Sequence, residues 1–265
     1  MCFKKKPSPI IDLFPTKRRV LSFTIDDYPG SVNDLRGCNN DGRQVKETVL
    51  NYWPDFDVRR FMDAEAKLNT FKTIVPDAIS LLSPGSTVLI LVDSCFSGTI
   101  TKFADMWLVK DPHPTRNRFY PQPGVPIFRR QVKKFLTRSD LKWIVISGCG
   151  ETEYSADAWI NGAYHGAFTW FAMITLKPGM TYREWYAEIK KYLPSSKYVQ
   201  APTIEGPDYL LDRKVFEDET LVIHNSSHGT QLPGIAEEPI DEAICFYDGN
   251  LRDNDYGAIL SKIVV

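Results

Sequence analysis

Two residue types in this chain carry the means for covalent chemistry, and each follows an apolar run that ends near a glycine. Cys95 stands in TVLILVDSCFSG and His228 in TLVIHNSSHG. A thiol is mostly protonated at neutral pH. A neighbouring imidazole raises its thiolate fraction and can later protonate a leaving amine. Glycine beside each residue, Gly98 and Gly229, lets the chain turn and lets a substrate backbone come close. The main-chain N–H groups of Cys95 and Gly229 are then candidates to bind a developing oxyanion. Against this stand the ordinary uses of such residues, a cysteine as a small buried hydrophobe and a histidine as a structural hydrogen-bonder.

The apolar runs must be held side by side for this chemistry to occur. Residues 19–25, 57–62, 88–92, 142–146 and 220–224 read as strands, and 198–205 as a strand end with a turn. Residues 40–51, 69–82, 129–137, 166–176, 181–193 and 255–263 read as helices. Alternating strands and helices predict an α/β fold with a mostly parallel sheet, whose ligands gather at the carboxyl ends of the strands. The continuous run 88–92 has to be covered on both faces. Between the two halves, residues 103–140 interleave Pro112, Pro114, Pro121, Pro123 and Pro126 with basic residues, the pattern of an exposed linker. No internal repeat is evident.

The totals set bounds. The 265 residues are 43% hydrophobic and 25% charged with a formal net charge of −1, so nothing global calls for nucleic acid or a membrane surface. No apolar run approaches the ~18 residues of a membrane span. The basic start lacks the apolar core of a secretion signal, and cytoplasm is the expectation. Five widely spread cysteines with no CxxC pair argue for reduced thiols rather than a zinc cage or disulfides.

DSCFSG and SSHGTQLPG together resemble the caspase-like cysteine peptidases, the metacaspases above all, and DDYPGSVNDLRGCNNDGRQV, ISGCGETEYSADAWINGAYHGAFTWFAM and DEAICFYDG agree with further stretches of that family. The resemblance implies a single three-layer α/β sandwich over 1–265, with helices on both faces of the sheet. It assigns 1–102 to the first strands and the Cys strand, 141–211 to a small-subunit-like region and 220–265 to the His strand and helix. One departure is large. In the family the histidine strand precedes the cysteine strand; here Cys95 comes first. The chain therefore reads as circularly permuted, with the polar stretch 212–219 as the new connection. Such a strand must slot beside the cysteine strand in space.

What the resemblance implies chemically is a Cys95–His228 endopeptidase that cleaves after Arg or Lys through an acyl-enzyme, with Gly229 and Cys95 as the oxyanion donors. Asp41, Asp93 and Ser226 match the pocket for the basic side chain, which must be paired where it is buried. The residues alone also allow Asp41 as a helix N-terminal acid and Asp93 as a turn cap. No cofactor is required. Calcium is a weaker implication, through Asp253 and Asp255 with Asp241, and Lys102 stands where an acid is usual. The expected partners are protein or peptide substrates, and the chain is expected to be a monomer. Lys110, Arg116, Arg118, Arg129 and Arg130 make the linker a candidate for self-cleavage. His165 reads as a loop residue, His113 as exposed, His224 as structural and Cys149 as packing, with Trp159 and Tyr164 as a wall of the cleft. The competing readings are a catalytically silent scaffold that binds basic peptides, and a nucleotide-binding domain, against which the absence of GxGxxG and a phosphate loop counts.

Overall fold

The apolar runs of the sequence become the strands of one central sheet. The computed structural model describes residues 16–30, 33–95, 112–125, 141–150, 153–235 and 240–263. In chain order the elements are β1 (Arg19–Thr24), α1 (Cys38–Tyr52), β2 (Asp57–Met62), α2 (Leu68–Ser80), β3 (Thr87–Asp93), β4 (Arg116–Asn117), β5 (Ile144–Ser147), β6 (Ala156–Ile160), β7 (Ala163–Gly166), α3 (Ala167–Thr175), α4 (Tyr182–Ile189), β8 (Thr203–Glu205), α5 (Asp208–Leu211), β9 (Thr220–Ser226), β10 (Gly229–Pro233), β11 (Ile240–Phe246), β12 (Gly249–Arg252) and α6 (Asp253–Leu260). The central sheet runs β2-β1-β9-β3-β5-β8. Its first five strands are mutually parallel, and β8 closes the edge antiparallel to β5.

Alternation along the strands divides the core in two. Val20, Leu89, Leu91 and Val222 face a cluster with Val45 and Val49 of α1, Phe168 and Ala172 of α3 and Trp185 of α4. Leu21, Phe23, Val88, Ile90 and Ile223 face the other way, against Phe71 and Val75 of α2 and Ile259 of α6. Every residue of β3 and β9 is buried, as strands covered on both faces must be. The result is a mixed, mostly parallel α/β sheet flanked by helices.

The strand that enters the sheet last in chain order lies at its centre. β9 pairs with β1 on one side and with β3 on the other, in a register that sets Asp93 opposite Ser226. The expected adjacency of the two strands is therefore present. The carboxyl ends of β1, β9, β3 and β5 open on the same edge.

Two small antiparallel sheets were not read from the sequence. One is β10-β11-β12 and the other β4-β6-β7. The turn of the β6–β7 hairpin is Asn161-Gly162, with φ of 51° and 88°. Asn-Gly between alternating strands is the signal for such a two-residue turn, and it stood in WINGAY. The expected helix at 129–137 and Lys102 lie outside the described residues. No helix among the described residues is long and apolar enough to cross a membrane.

Candidate active site

The end of β3 and the end of β9 bring the turns that carry Cys95 and His228 into contact. Asp93 closes β3, and Ser94 and Cys95 follow it; Ser226 closes β9, and Ser227 and His228 follow it. Their turns lie in contact: an added Cβ at Gly229 would stand 1.8 Å from the Cys95 carbonyl oxygen. Only a residue without a side chain permits that approach.

Both candidate oxyanion donors have the same acceptor, the carbonyl oxygen of Arg118. The Cys95 N–H donates to it at 3.2 Å and the Gly229 N–H at 2.9 Å. The Arg118 side chain is fully buried among the residues the sequence nominated for a basic pocket. Its Nη2 donates to Asp41 Oδ2 at 2.8 Å and to Asp157 Oδ1 at 3.1 Å, and its Nη1 donates to Ser226 Oγ at 2.6 Å. Nη1 also lies 3.4 Å from Asp93 Oδ2. Asp41, Asp93 and Ser226 are thus brought together around an arginine of the chain itself. Asp157, a third acid, was not singled out in the sequence; it lies in the SADAW stretch already linked to the cleft.

The pocket acids are held in place from behind. Asp41, in the first turn of α1, accepts the Gly166 N–H at 2.9 Å and the Ser226 hydroxyl at 2.7 Å. Burial pushes its carboxyl up, but Arg118, His165 and Ser226 outweigh that and hold it below the usual carboxylate range. Asp93 accepts the Thr169 N–H at 2.9 Å, the Thr169 hydroxyl at 2.7 Å and the Ser155 hydroxyl. Burial pushes Asp93 and Asp157 up, and the partial relief from Arg118 does not reverse it. One guanidinium does not neutralise three buried carboxylates, so a proton on one of the acids is favoured.

The segment that carries Arg118 lies against the site as an added strand. Arg116 and Asn117 pair antiparallel with Asp157 and Ala156, and the Arg118 N–H donates to Ser155 O at 3.1 Å. Beyond Arg118, the Tyr120 N–H donates to Gly229 O at 2.8 Å, and the Thr230 hydroxyl donates to Tyr120 O at 2.6 Å. The expectation of an exposed linker over 103–140 therefore fails at the centre of its described part, where Arg118 is 0% and Phe119 4% exposed. A charged residue among prolines reads as solvated because isolated charges are rarely buried; three acids from distant elements make the exception.

His228 stands beside this carbonyl, with its ring between the Asn33 and Arg118 main chains. Its Nε2 lies 2.7 Å from Asn33 O. A carbonyl only accepts, so Nε2 carries the proton and Nδ1 presents a lone pair in the neutral ring. Nδ1 is buried and has no hydrogen-bond partner among the described residues. Burial pushes the imidazole down to about 4, against the pull of the Asn33 and Arg118 main chain. The His228 N–H donates to the Tyr28 hydroxyl at 2.9 Å. The Asn33 carbonyl and Tyr28 carried no sequence signal for this role. The Cys95 thiol is turned toward β6, where it accepts the Ser155 N–H and lies 3.5 Å from Ser155 O.

The remaining nominated residues are placed as follows. His224 is buried in β9 with Nδ1 2.9 Å from Ser22 Oγ, and burial pushes it down to about 4, a structural role. Cys149 is buried beside Cys95, with Sγ 3.5 Å from Ser94 O. His165 is a strand residue of β7, not a loop residue, and its Nδ1 lies 3.5 Å from Asp41 Oδ1. His113 is half-buried rather than exposed and stacks on Trp159 at 3.9 Å between ring centres. Trp159 and Tyr164, expected as a wall of the cleft, pair across the β6–β7 hairpin and lie against the His113 ring. The calcium candidates are not gathered: Asp241 pairs with Arg252, Asp255 lies 3.2 Å from Lys72 Nζ, and Asp253 sits in the first turn of α6. Among the described residues no group of three or more His, Cys, Asp or Glu is arranged to hold a metal ion.

No protein-family profile matches the chain, and no curated protein sequence is similar to it. Among solved structures it is similar to protein GSU0716 from Geobacter sulfurreducens, with a TM-score of 0.55 and 18% identity, over 76% of this chain and 99% of that one. At that identity the likeness bears on the fold alone, and it agrees with an α/β sheet flanked by helices.

Proposed function

We propose that the protein is a cysteine endopeptidase of the caspase-like, metacaspase type, circularly permuted, which cleaves after arginine and whose own Arg118–Phe119 bond is a substrate. The observation that carries this reading is the double engagement of Arg118. Its carbonyl oxygen takes two main-chain N–H groups, one from the cysteine and one from the glycine after the histidine, while its guanidinium fills a pocket of three carboxylates. A structural arginine needs the acids but has no need for both of those N–H groups on its carbonyl.

The chemistry follows from the contacts. The Cys95 sulfur attacks the Arg118 carbonyl carbon as a thiolate. The carbonyl oxygen gains the negative charge already facing the Cys95 and Gly229 N–H groups. The neutral His228 ring takes the thiol proton at Nδ1 and gives it to the Phe119 nitrogen as the peptide bond breaks. Water, deprotonated by the same ring, then releases the acyl group from sulfur. The Asn33 carbonyl holds the ring in the tautomer that this requires.

The silent-scaffold reading has one observation in its favour, the hydrogen bonding of the Cys95 thiol to Ser155 rather than to His228. Incubating purified protein beside Cys95→Ala and mapping termini by mass spectrometry separates the two. The expected result is a new terminus at Phe119 in wild type and none in Cys95→Ala. An intact wild type that also leaves Arg-terminated fluorogenic peptides uncut would sink the enzyme reading.

A further inference from the structure

The bond after Arg118 leads into a second enclosed position. Phe119 is 4% exposed and forms a separate apolar cluster with Cys95, Cys149 and Tyr154. The cluster belongs to neither face of the central sheet. Its walls come from the turn after β5, which brings Cys149, and from the approach to β6, which brings Tyr154. Its floor is the cysteine at the end of β3. The main chain on this side is fixed as well: Phe119 bridges Gly229 in parallel, and Tyr120 is held by Gly229 O and the Thr230 hydroxyl. Register is therefore set on both sides of the bond, and one side chain is directed into the cluster.

Resting on the reading of Arg118–Phe119 as a substrate bond, we propose that the site selects peptides with an aromatic or large aliphatic residue immediately after the arginine, and that Cys149 and Tyr154 are the specificity-determining residues for that position. The chemical class is thus Arg-Phe, Arg-Tyr or Arg-Leu within an extended segment. A polar or charged residue there would lose water on entering a pocket whose lining is apolar and aromatic. A glycine would leave the pocket empty beside the thiol. Burying a large apolar side chain favours binding enough to give about a tenfold or greater preference over glycine.

The test uses the full-length protein and internally quenched peptides identical except at the residue after arginine, which is Phe, Leu, Gly or Asp. The expected result is cleavage in the order Phe and Leu above Gly above Asp, with at least tenfold between Phe and Gly in kcat/KM. A Tyr154→Ala enzyme should lose most of that spread while still requiring arginine before the bond. The peptide series needs no variant to fold, so a poorly folding Tyr154→Ala does not spoil it. Arg-dependent cleavage that is indifferent to the following residue overturns this inference and leaves the endopeptidase reading standing. No Arg-dependent cleavage of any peptide overturns both.

Discussion

Replacing Arg118 by alanine is the perturbation whose size the structure fixes best. The guanidinium and its three acidic neighbours are all fully buried. Removing one partner of a buried ion pair leaves an uncompensated charge and costs about 3–5 kcal/mol. For a chain of this size ~2–4 °C is lost per kcal/mol, so Arg118→Ala should melt roughly 10 °C below wild type near pH 8. The loss must shrink as pH falls. Asp93 and Asp157 are already pushed up by burial, and without the cation they rise further, so protons taken up at lower pH relieve the repulsion. The assay is thermal unfolding of both proteins from pH 8 to pH 5, with and without agmatine, a guanidinium that has no scissile bond. Agmatine at about 100 times its dissociation constant contributes ~2.7 kcal/mol, several degrees, to the variant and less to wild type, where it must first displace Arg118. A variant within about 2 °C of wild type at pH 8, or equal agmatine shifts in both proteins, would refute the buried-pocket reasoning.

Two further outcomes follow from the same geometry. Gly229→Ala should abolish the new terminus at Phe119, because its Cβ would stand 1.8 Å from the Cys95 carbonyl and either β10 or the Cys95 turn must move; a nicking rate equal to wild type would show that this contact is not part of the site. His224 has a folded pKa of about 4 against 6.5 in the unfolded chain. The unfolded chain therefore binds the extra proton first, and stability is lost as pH falls from 6.5 to about 4, by up to ~1.4 kcal/mol per pH unit. His228 carries the same shift, so His224→Gln should remove about half of the slope of melting temperature across that window, and an unchanged slope would assign the acid sensitivity elsewhere.

The nominated pocket residues show how far local pattern reaches. Asp41 and Asp93 were nominated through the family resemblance; local pattern alone placed one near the start of α1 and the other at the end of β3, without saying that they meet. Ser226 and His228 follow a run of apolar residues that could only be a buried strand. Hydrophobic periodicity is a local property, so it survives in the sequence whatever the chain order of the strands. Periodicity thus marked β9 as a strand, while its place beside β3 came from the resemblance read as a permuted order. The Asn161-Gly162 turn was equally local and was passed over in favour of the longer stretch around it.

By itself the sequence determined the alternation of strands and helices and the two strand ends that carry sulfur and imidazole; the flanking acids were named through the family resemblance. Only the tertiary structure decided what fills the space between them. Arg118 lies in a proline-rich stretch whose composition says solvent, and its burial depends on Asp41, Asp93, Asp157 and Ser226 arriving from four separate elements. The Asn33 carbonyl that orients His228 is a main-chain group, which no residue type announces. Charge compensation and main-chain hydrogen bonds are satisfied by whatever the fold brings near, and that is a long-range property no window of sequence contains.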